Sequence, residues 1–345
     1  MPNPLREWKR WLFLALVLGL VALGLAGRHV YQVATSPMAL AEKGILEVPE
    51  GAGYNRVIQR LADKGWVNPG DILALKVLGR VLGVTAQIHA GEYRLSPQTK
   101  PLGLLNQLVS GDVIMHSLTL PEGRTVRDFL TRLRESESLA TQDLPDGPED
   151  QELVALLGLA ERGHDSAEGW FFPETYRFSR GRRAKSILTQ AHERMRSVLE
   201  KEWGNRAEDL PLDDAYQALI LASIVEKETA APSERALIAG VFVNRLRQGM
   251  RLQTDPTVIY GLGNAFDGNL QHQDLRRPTP YNTYTQTGLP PTPIANPGRA
   301  AIRAACQPAD TDYRYFVSSG DGSHVFSETL AEHNRAVQRF QLGGQ

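Results

Sequence analysis

The hydrophobic pattern opens with an uncharged run. Trp11 to Gly27, about 17 residues rich in Leu, Val and Ala, follows Arg6, Lys9 and Arg10. That length sits at the short end for a membrane-spanning helix, and the basic flank predicts a cytoplasmic N-terminus. A cleaved signal peptide would leave a different mature chain. The run is longer than a usual signal-peptide core, however, and a good Ala-x-Ala cleavage pattern is missing, so an uncleaved anchor is expected. The expected division is a cytoplasmic segment over 1–10, a transmembrane helix over 11–27 and an outside portion from about Arg28 onward.

Beyond the run the pattern becomes that of a globular α+β protein. Leu46-Glu-Val-Pro-Glu-Gly51 precedes the helical spacing Val57, Ile58, Leu61; Leu118-Thr-Leu-Pro-Glu-Gly123 precedes Val126, Phe129, Leu130, Leu133. Each predicts a strand, a turn and an amphipathic helix, two copies of one small motif. Ile72–Leu82 predicts a helix and Gly91–Leu95 a strand, so a small module is expected over 44–110. A larger domain is expected over 111–345, and the acidic, Pro- and Gly-containing Glu135–Glu152 reads as an exposed loop and candidate boundary. In the larger domain, Ile187, Leu188, Ala191, Met195, Val198 and Leu199 mark one face of a long helix over Lys185–Trp203. Leu212–Arg247 is helical with a break near Ala231-Pro232. The stretch from Gly249 to Pro297 is rich in Pro, Gly, Thr and Asn, the composition of loops that line sites on a helical scaffold. A hairpin around Gly320-Asp-Gly322 and a helix over Leu330–Phe340 complete the pattern.

Charge narrows the function. Lys and Arg number 38 against 39 Asp and Glu, and this balance argues against a general nucleic-acid binder. The single cysteine, Cys306, excludes an intramolecular disulfide and reads as a small buried apolar residue. Cys/His metal clusters, HExxH and a GxxxxGK[ST] loop are absent from the sequence.

The chemistry concentrates at one helix end. Ala218–Val225 is apolar nearly all round, the pattern of a buried helix, and it runs into Glu226-Lys-Glu-Thr229. Glu228 follows Val225 by three, Ile224 by four and Leu221 by seven, so it continues the bulky apolar face. Glu226 continues the face of small residues, Ala222 and Ser223. A carboxyl on the apolar side of a buried helix is desolvated, which raises its pKa and keeps its proton for use as a general acid. Two solvated glutamates at a helix end are the plain alternative.

Ser223-Ile-Val-Glu-Lys-Glu-Thr229 resembles the catalytic helix of lysozyme-like lytic transglycosylases, with Thr229 where that group has Ser, which aligns Glu228 with the acid. Glu168-Gly-Trp-Phe-Phe-Pro-Glu-Thr-Tyr176, Val243-Asn-Arg-Leu246, Arg251-Leu-Gln-Thr-Asp-Pro-Thr257, Pro280-Tyr-Asn-Thr-Tyr284 and Gly288-Leu-Pro-Pro291 extend the resemblance to the YceG-like family over nearly the whole chain. The resemblance implies a LysM-like module after the anchor and a lysozyme-like helical catalytic domain with β insertions. It implies endolytic cleavage of the MurNAc–GlcNAc bond of nascent peptidoglycan with 1,6-anhydroMurNAc ends, with neither metal nor cofactor needed, a cut that terminates strand elongation. It places the catalytic domain in the periplasm, on a single-pass anchor in the inner membrane, with cell-wall synthases such as penicillin-binding proteins as partners. Gln253, Asp255, Asn282 and Tyr284 are expected to contact the sugar through amide, carboxylate and aromatic groups. Their plain alternative is loop stabilisation. Glu174 and Glu226 are further candidates around Glu228, while His324 and His333 read as structural. A lysozyme-like hydrolase, with Asp255 holding a water, and a non-catalytic glycan-binding scaffold are the competing functions.

Overall fold

The computed structural model describes residues 4–229 and 231–342, and it divides into two compact units. One comprises the chain up to His116 together with Arg177–Arg182. The other comprises Ser117–Tyr176 and the chain from Arg183. The acidic stretch expected as a boundary lies inside the second unit, and the chain crosses between units at 116/117, 176/177 and 182/183.

In the first unit, α1 (Pro4–Thr35) continues unbroken for about two turns beyond the apolar run. It is long and apolar enough to cross a membrane over Trp8–Thr35. Its final turns pack Val30, Val33 and Ala34 against the unit's apolar core. There follow β1 (Gly44–Val48), α2 (Tyr54–Asp63), α3 (Ile72–Val81), β2 (Gly91–Leu95) and α4 (Pro101–Ser110). Period-two alternation turns Leu46 and Val48 inward on β1, which pairs antiparallel with β2 from Gly44↔Leu95 to Val48↔Gly91. The helix α2 buries Tyr54, Val57, Ile58 and Leu61, one face at helical spacing. The Tyr54 hydroxyl donates to the Leu75 carbonyl on α3 at 2.8 Å. Gly79 of α3 lies under the Tyr54 ring, where any Cβ would overlap it.

The chain passes into the second unit along β3 (Met115–Thr119), and α5 (Val126–Arg134) follows. A capping box fixes the start of α5: Thr125 accepts from the Asp128 N–H, and the Asp128 carboxylate accepts from that of Thr125. The strand–turn–helix echo therefore exists twice, although β1 pairs with β2 and β3 pairs with the later β5 (Thr175–Ser179). Short β4 (Leu139–Ala140) and α6 (Gln151–Leu156) precede β5, and β6 (Arg182–Arg183) pairs with β4.

The remainder is a helical core. It comprises α7 (Ala184–Gly204), α8 (Ala215–Glu228), α9 (Arg235–Arg247), α10 (Asp255–Leu262), α11 (His272–Arg276) and α12 (Arg299–Cys306). The central α8 buries every residue from Ala218 to Val225 against α7, α9, α10 and α12. Cys306 is fully buried beside it, and burial pushes its thiol up to about 12. The expected hairpin forms as β7 (Tyr315–Ser318) and β8 (His324–Ser327), paired antiparallel, and α13 (Leu330–Val337) closes the chain before a wider π-turn over Gln338–Leu342. Mixed helix and sheet with one apolar N-terminal helix is thus the observed fold class.

Candidate active site

The local sequence places the two glutamates of α8 on different sides. Asp214 caps the helix start by accepting from the Gln217 N–H at 2.8 Å. The helix then holds its phase to Glu228, after which Thr229 turns to extended backbone. Two residues correspond to about 200° of helical rotation. Glu228 faces a cleft of about 560 Å³. Glu226 instead accepts from the Gly298 N–H at 2.9 Å, at the start of α12, and stands 3.8 Å from the Arg235 guanidinium. Burial raises the Glu226 pKa as it does that of Glu228, and the Gly298 N–H and the Arg235 charge oppose the shift. Glu226 is therefore a packing residue between α8, α9 and α12, and it does not line the cleft.

Glu228 is held in an environment that favours its proton. Burial raises its pKa above the usual carboxylate range. A hydrogen bond from the Thr254 hydroxyl opposes the shift, the Asp255 charge adds to it, and His324 and Arg245 oppose it more weakly.

The opposing wall is built from the loop before α10. Thr254 is buried, and its N–H donates to Thr283 Oγ1 at 3.1 Å. The Thr257 hydroxyl bonds to the Thr254 carbonyl at 2.7 Å. Gln253 adopts φ +50°, the only non-glycine residue with positive φ among the described residues, and its N–H donates to the Thr283 carbonyl at 3.1 Å. Left-handed backbone at a bulky residue costs on the order of 1 kcal/mol or more and persists where surrounding bonds enforce it. The strain presents an exposed Gln253 side chain to the cleft. Asp255, in the first turn of α10, accepts the Tyr284 hydroxyl at 2.6 Å.

The structure thus gathers Glu228, Gln253, Asp255 and Tyr284 in one cleft. Asn282 lies elsewhere: it is fully buried, its amide donates to the carbonyls of Asp274, Leu275 and Arg277, and its oxygen accepts from the Tyr284 N–H. Every donor and acceptor it owns shapes the loop that carries Tyr284. Glu174 is a half-exposed residue 3.7 Å from Arg194, and it is not part of the cleft wall.

The cleft also contains residues that sequence reasoning left aside. Arg245 reaches in from α9, its guanidinium pinned by the carbonyls of Arg314 and Leu252 and lying 5.4 Å from the Tyr315 ring. It supplies a fixed positive charge. His324, at the start of β8, donates its N–H to Glu234 at 2.9 Å, and its Nδ1 contacts the same carboxylate at 2.7 Å. Burial acts to raise the Glu234 pKa, but the hydrogen bonds from His324 outweigh it and hold this carboxyl below its usual range. His333 on α13 stacks on Tyr315 at 5.3 Å. The sequence offered Val243-Asn-Arg-Leu246 without an assigned role, and His324 and His333 only as structural residues. Among the described residues, no group of three or more His, Cys, Asp or Glu side chains is gathered as metal ligands are.

Residues 46–339 match the model of the YceG-like family. The chain is 38% identical over 178 residues to the endolytic murein transglycosylase of Bacillus subtilis, covering 50% of this chain and 48% of that one. It is 26% identical over 319 residues to the endolytic murein transglycosylase of Streptococcus pneumoniae strain D39, covering 84% and 57%. The chain therefore spans about half the length of the curated relatives it matches. A crystal structure of a YceG-like protein from Listeria monocytogenes superposes with a TM-score of 0.54 at 31% identity, covering 85% of this chain and 99% of that one. With the family match running over residues 46–339, and so through both units, the chain belongs to the YceG-like family.

Proposed function

We propose that this chain is a lytic transglycosylase that cuts the MurNAc–GlcNAc bond within nascent peptidoglycan strands, with Glu228 as its single acid and base. The observation that carries the proposal is the placement of Glu228: a buried carboxyl of raised pKa, at the end of an apolar helix, opening into a cleft of about 560 Å³. The names of the relatives from Bacillus subtilis and Streptococcus pneumoniae support the same chemistry.

In the reaction, protonated Glu228 donates to the bridging oxygen, and the bond from that oxygen to MurNAc C1 breaks. The resulting carboxylate faces the oxocarbenium-like centre. It then takes the proton from the C6 hydroxyl of the same MurNAc as that oxygen bonds to C1, closing the 1,6-anhydro ring. Glu228 ends protonated, and no water is consumed. The Thr254 hydroxyl orients the carboxyl and steadies its charged form between the two steps. Gln253 and Tyr284 supply the amide and the ring for an N-acetylated sugar.

A second reading rests on Asp255, a second carboxylate in the same cleft: a hydrolase would use it to hold a water. Its hydrogen bond from Tyr284 occupies it and favours the single-carboxylate route. Product masses on purified uncrosslinked strands separate the two, since anhydro products are lighter by one water.

The wider setting belongs to the same proposal. The apolar α1 anchors the chain in the inner membrane with its N-terminus in the cytoplasm and both units in the periplasm. The first unit serves as a LysM-like module, and the second carries a lysozyme-like helical core. Cleavage there terminates new strands beside the penicillin-binding synthases.

A further inference from the structure

The solvent face of α3 is apolar where a helix of a soluble module would be polar. Its inner face, Ala74, Leu75, Leu78 and Gly79, packs on the module, Leu75 and Gly79 directly on Tyr54. The outer face carries Leu73, Val77 and Val81 at i, i+4 and i+8, exposed at 72%, 42% and 77%. With Leu82 they make four of the nine exposed large hydrophobic side chains found outside α1 among the described residues. The remaining outward positions are Lys76 and Arg80, and this face carries no acidic residue. An apolar stripe edged with basic residues is the pattern of a helix lying in a membrane interface.

The position of α3 relative to α1 places it at that level. Trp11 and Tyr31 are both exposed on α1 and stand 20 residues apart, about 30 Å along a helix, the thickness of a bilayer's hydrocarbon core. Aromatic side chains prefer the two interfaces. His29, between Gly27 and Tyr31, contacts Asp71 at 3.4 Å, and Asp71 is the residue that precedes α3. The start of α3 therefore lies level with His29 of α1, and the two helices pack against each other.

We propose that the outer face of α3 is a second membrane contact. Leu73, Val77 and Val81 enter the headgroup–acyl boundary, and Lys76 and Arg80 pair with anionic lipid headgroups. The contact fixes the first unit against the bilayer instead of leaving it on a free tether. The proposal rests on α1 being a membrane anchor.

The test uses the full chain in vesicles of phosphatidylglycerol and phosphatidylethanolamine, with an environment-sensitive dye on single introduced thiols; native Cys306 is fully buried. Val77→Cys and Val81→Cys report on α3, Leu18→Cys reports on the anchor, and spin-labelled lipids serve as quenchers. The expected result is blue-shifted, lipid-quenched emission at all three positions, with quenching at 77 reduced by Lys76→Glu with Arg80→Glu. A quenched label at 18 with water-like emission at 77 and 81 overturns the proposal and leaves the anchor standing. An unquenched label at 18 overturns the anchor and the α3 contact together. Quenching at 77 that ignores the charge reversal refutes the pairing with anionic headgroups.

Discussion

Glu226 and Glu228 are two residues apart on one helix and serve different purposes: Glu228 opens into the cleft, while Glu226 accepts the Gly298 N–H at 2.9 Å and seats α12. Replacing Glu226 with Ala removes the acceptor of a buried backbone donor and the partner of Arg235. A loss of about 1–3 kcal/mol in stability is expected. Activity per folded molecule should stay near the parent value, and thermal melting together with turnover on glycan strands checks both parts.

On the proposed route activity should fall on the alkaline side, because only protonated Glu228 can donate. Its pKa is raised, chiefly by burial, so the falling limb belongs above the ordinary carboxylate range. The Thr254 hydroxyl bond stabilises the carboxylate and so holds that limb down. Thr254→Val should move the limb to higher pH and lower kcat by about tenfold or more, as the charged form between the two steps loses one hydrogen bond. A pH–rate profile of kcat/KM for the two proteins measures the shift, and a limb that moves down contradicts this role.

Glu168 makes a prediction about stability. It is fully buried, accepts the Val126 N–H at 3.0 Å and the Tyr260 hydroxyl at 3.2 Å, and burial pushes its pKa to about 8. Its folded pKa lies above its unfolded value. The stability it contributes is therefore complete below about pH 4.5 and is lost as pH rises toward 8. Glu168→Gln imitates the protonated form. It should match the parent near pH 5 and exceed it in melting temperature near pH 8, flattening the decline between. Melting curves across that range decide the matter.

Much of this was legible in the chain itself because the signals were local. The apolar phase of Leu221, Ile224 and Val225 carried over to Glu228, and the same helical count sent Glu226 to the other side. The breaks around α8 and α9 and the hairpin turn at Gly320 followed from Pro and Gly. Asn282 was harder to read. An amide in a Pro-rich loop suits a sugar, but whether its hydrogen bonds go to a ligand or to three backbone carbonyls depends on how that loop closes. The wall of Arg245, His324 and His333 was not legible, since it forms only when β7, β8 and α13 return to α9 from some 70 residues away. Asp255 and Tyr284 could be named singly, but their mutual hydrogen bond could not.

The central claim is that one cleft carboxyl, Glu228, performs the cut. The most direct test incubates the unmutated chain, Glu228→Gln and Glu226→Gln with purified uncrosslinked glycan strands and weighs the fragments. Anhydro fragments from the unmutated chain and from Glu226→Gln are predicted. Their formation should slow by about 10²–10⁴-fold in Glu228→Gln, the range for loss of a general acid. Undiminished cleavage by Glu228→Gln, or fragments heavier by one water from the unmutated chain, would contradict the account.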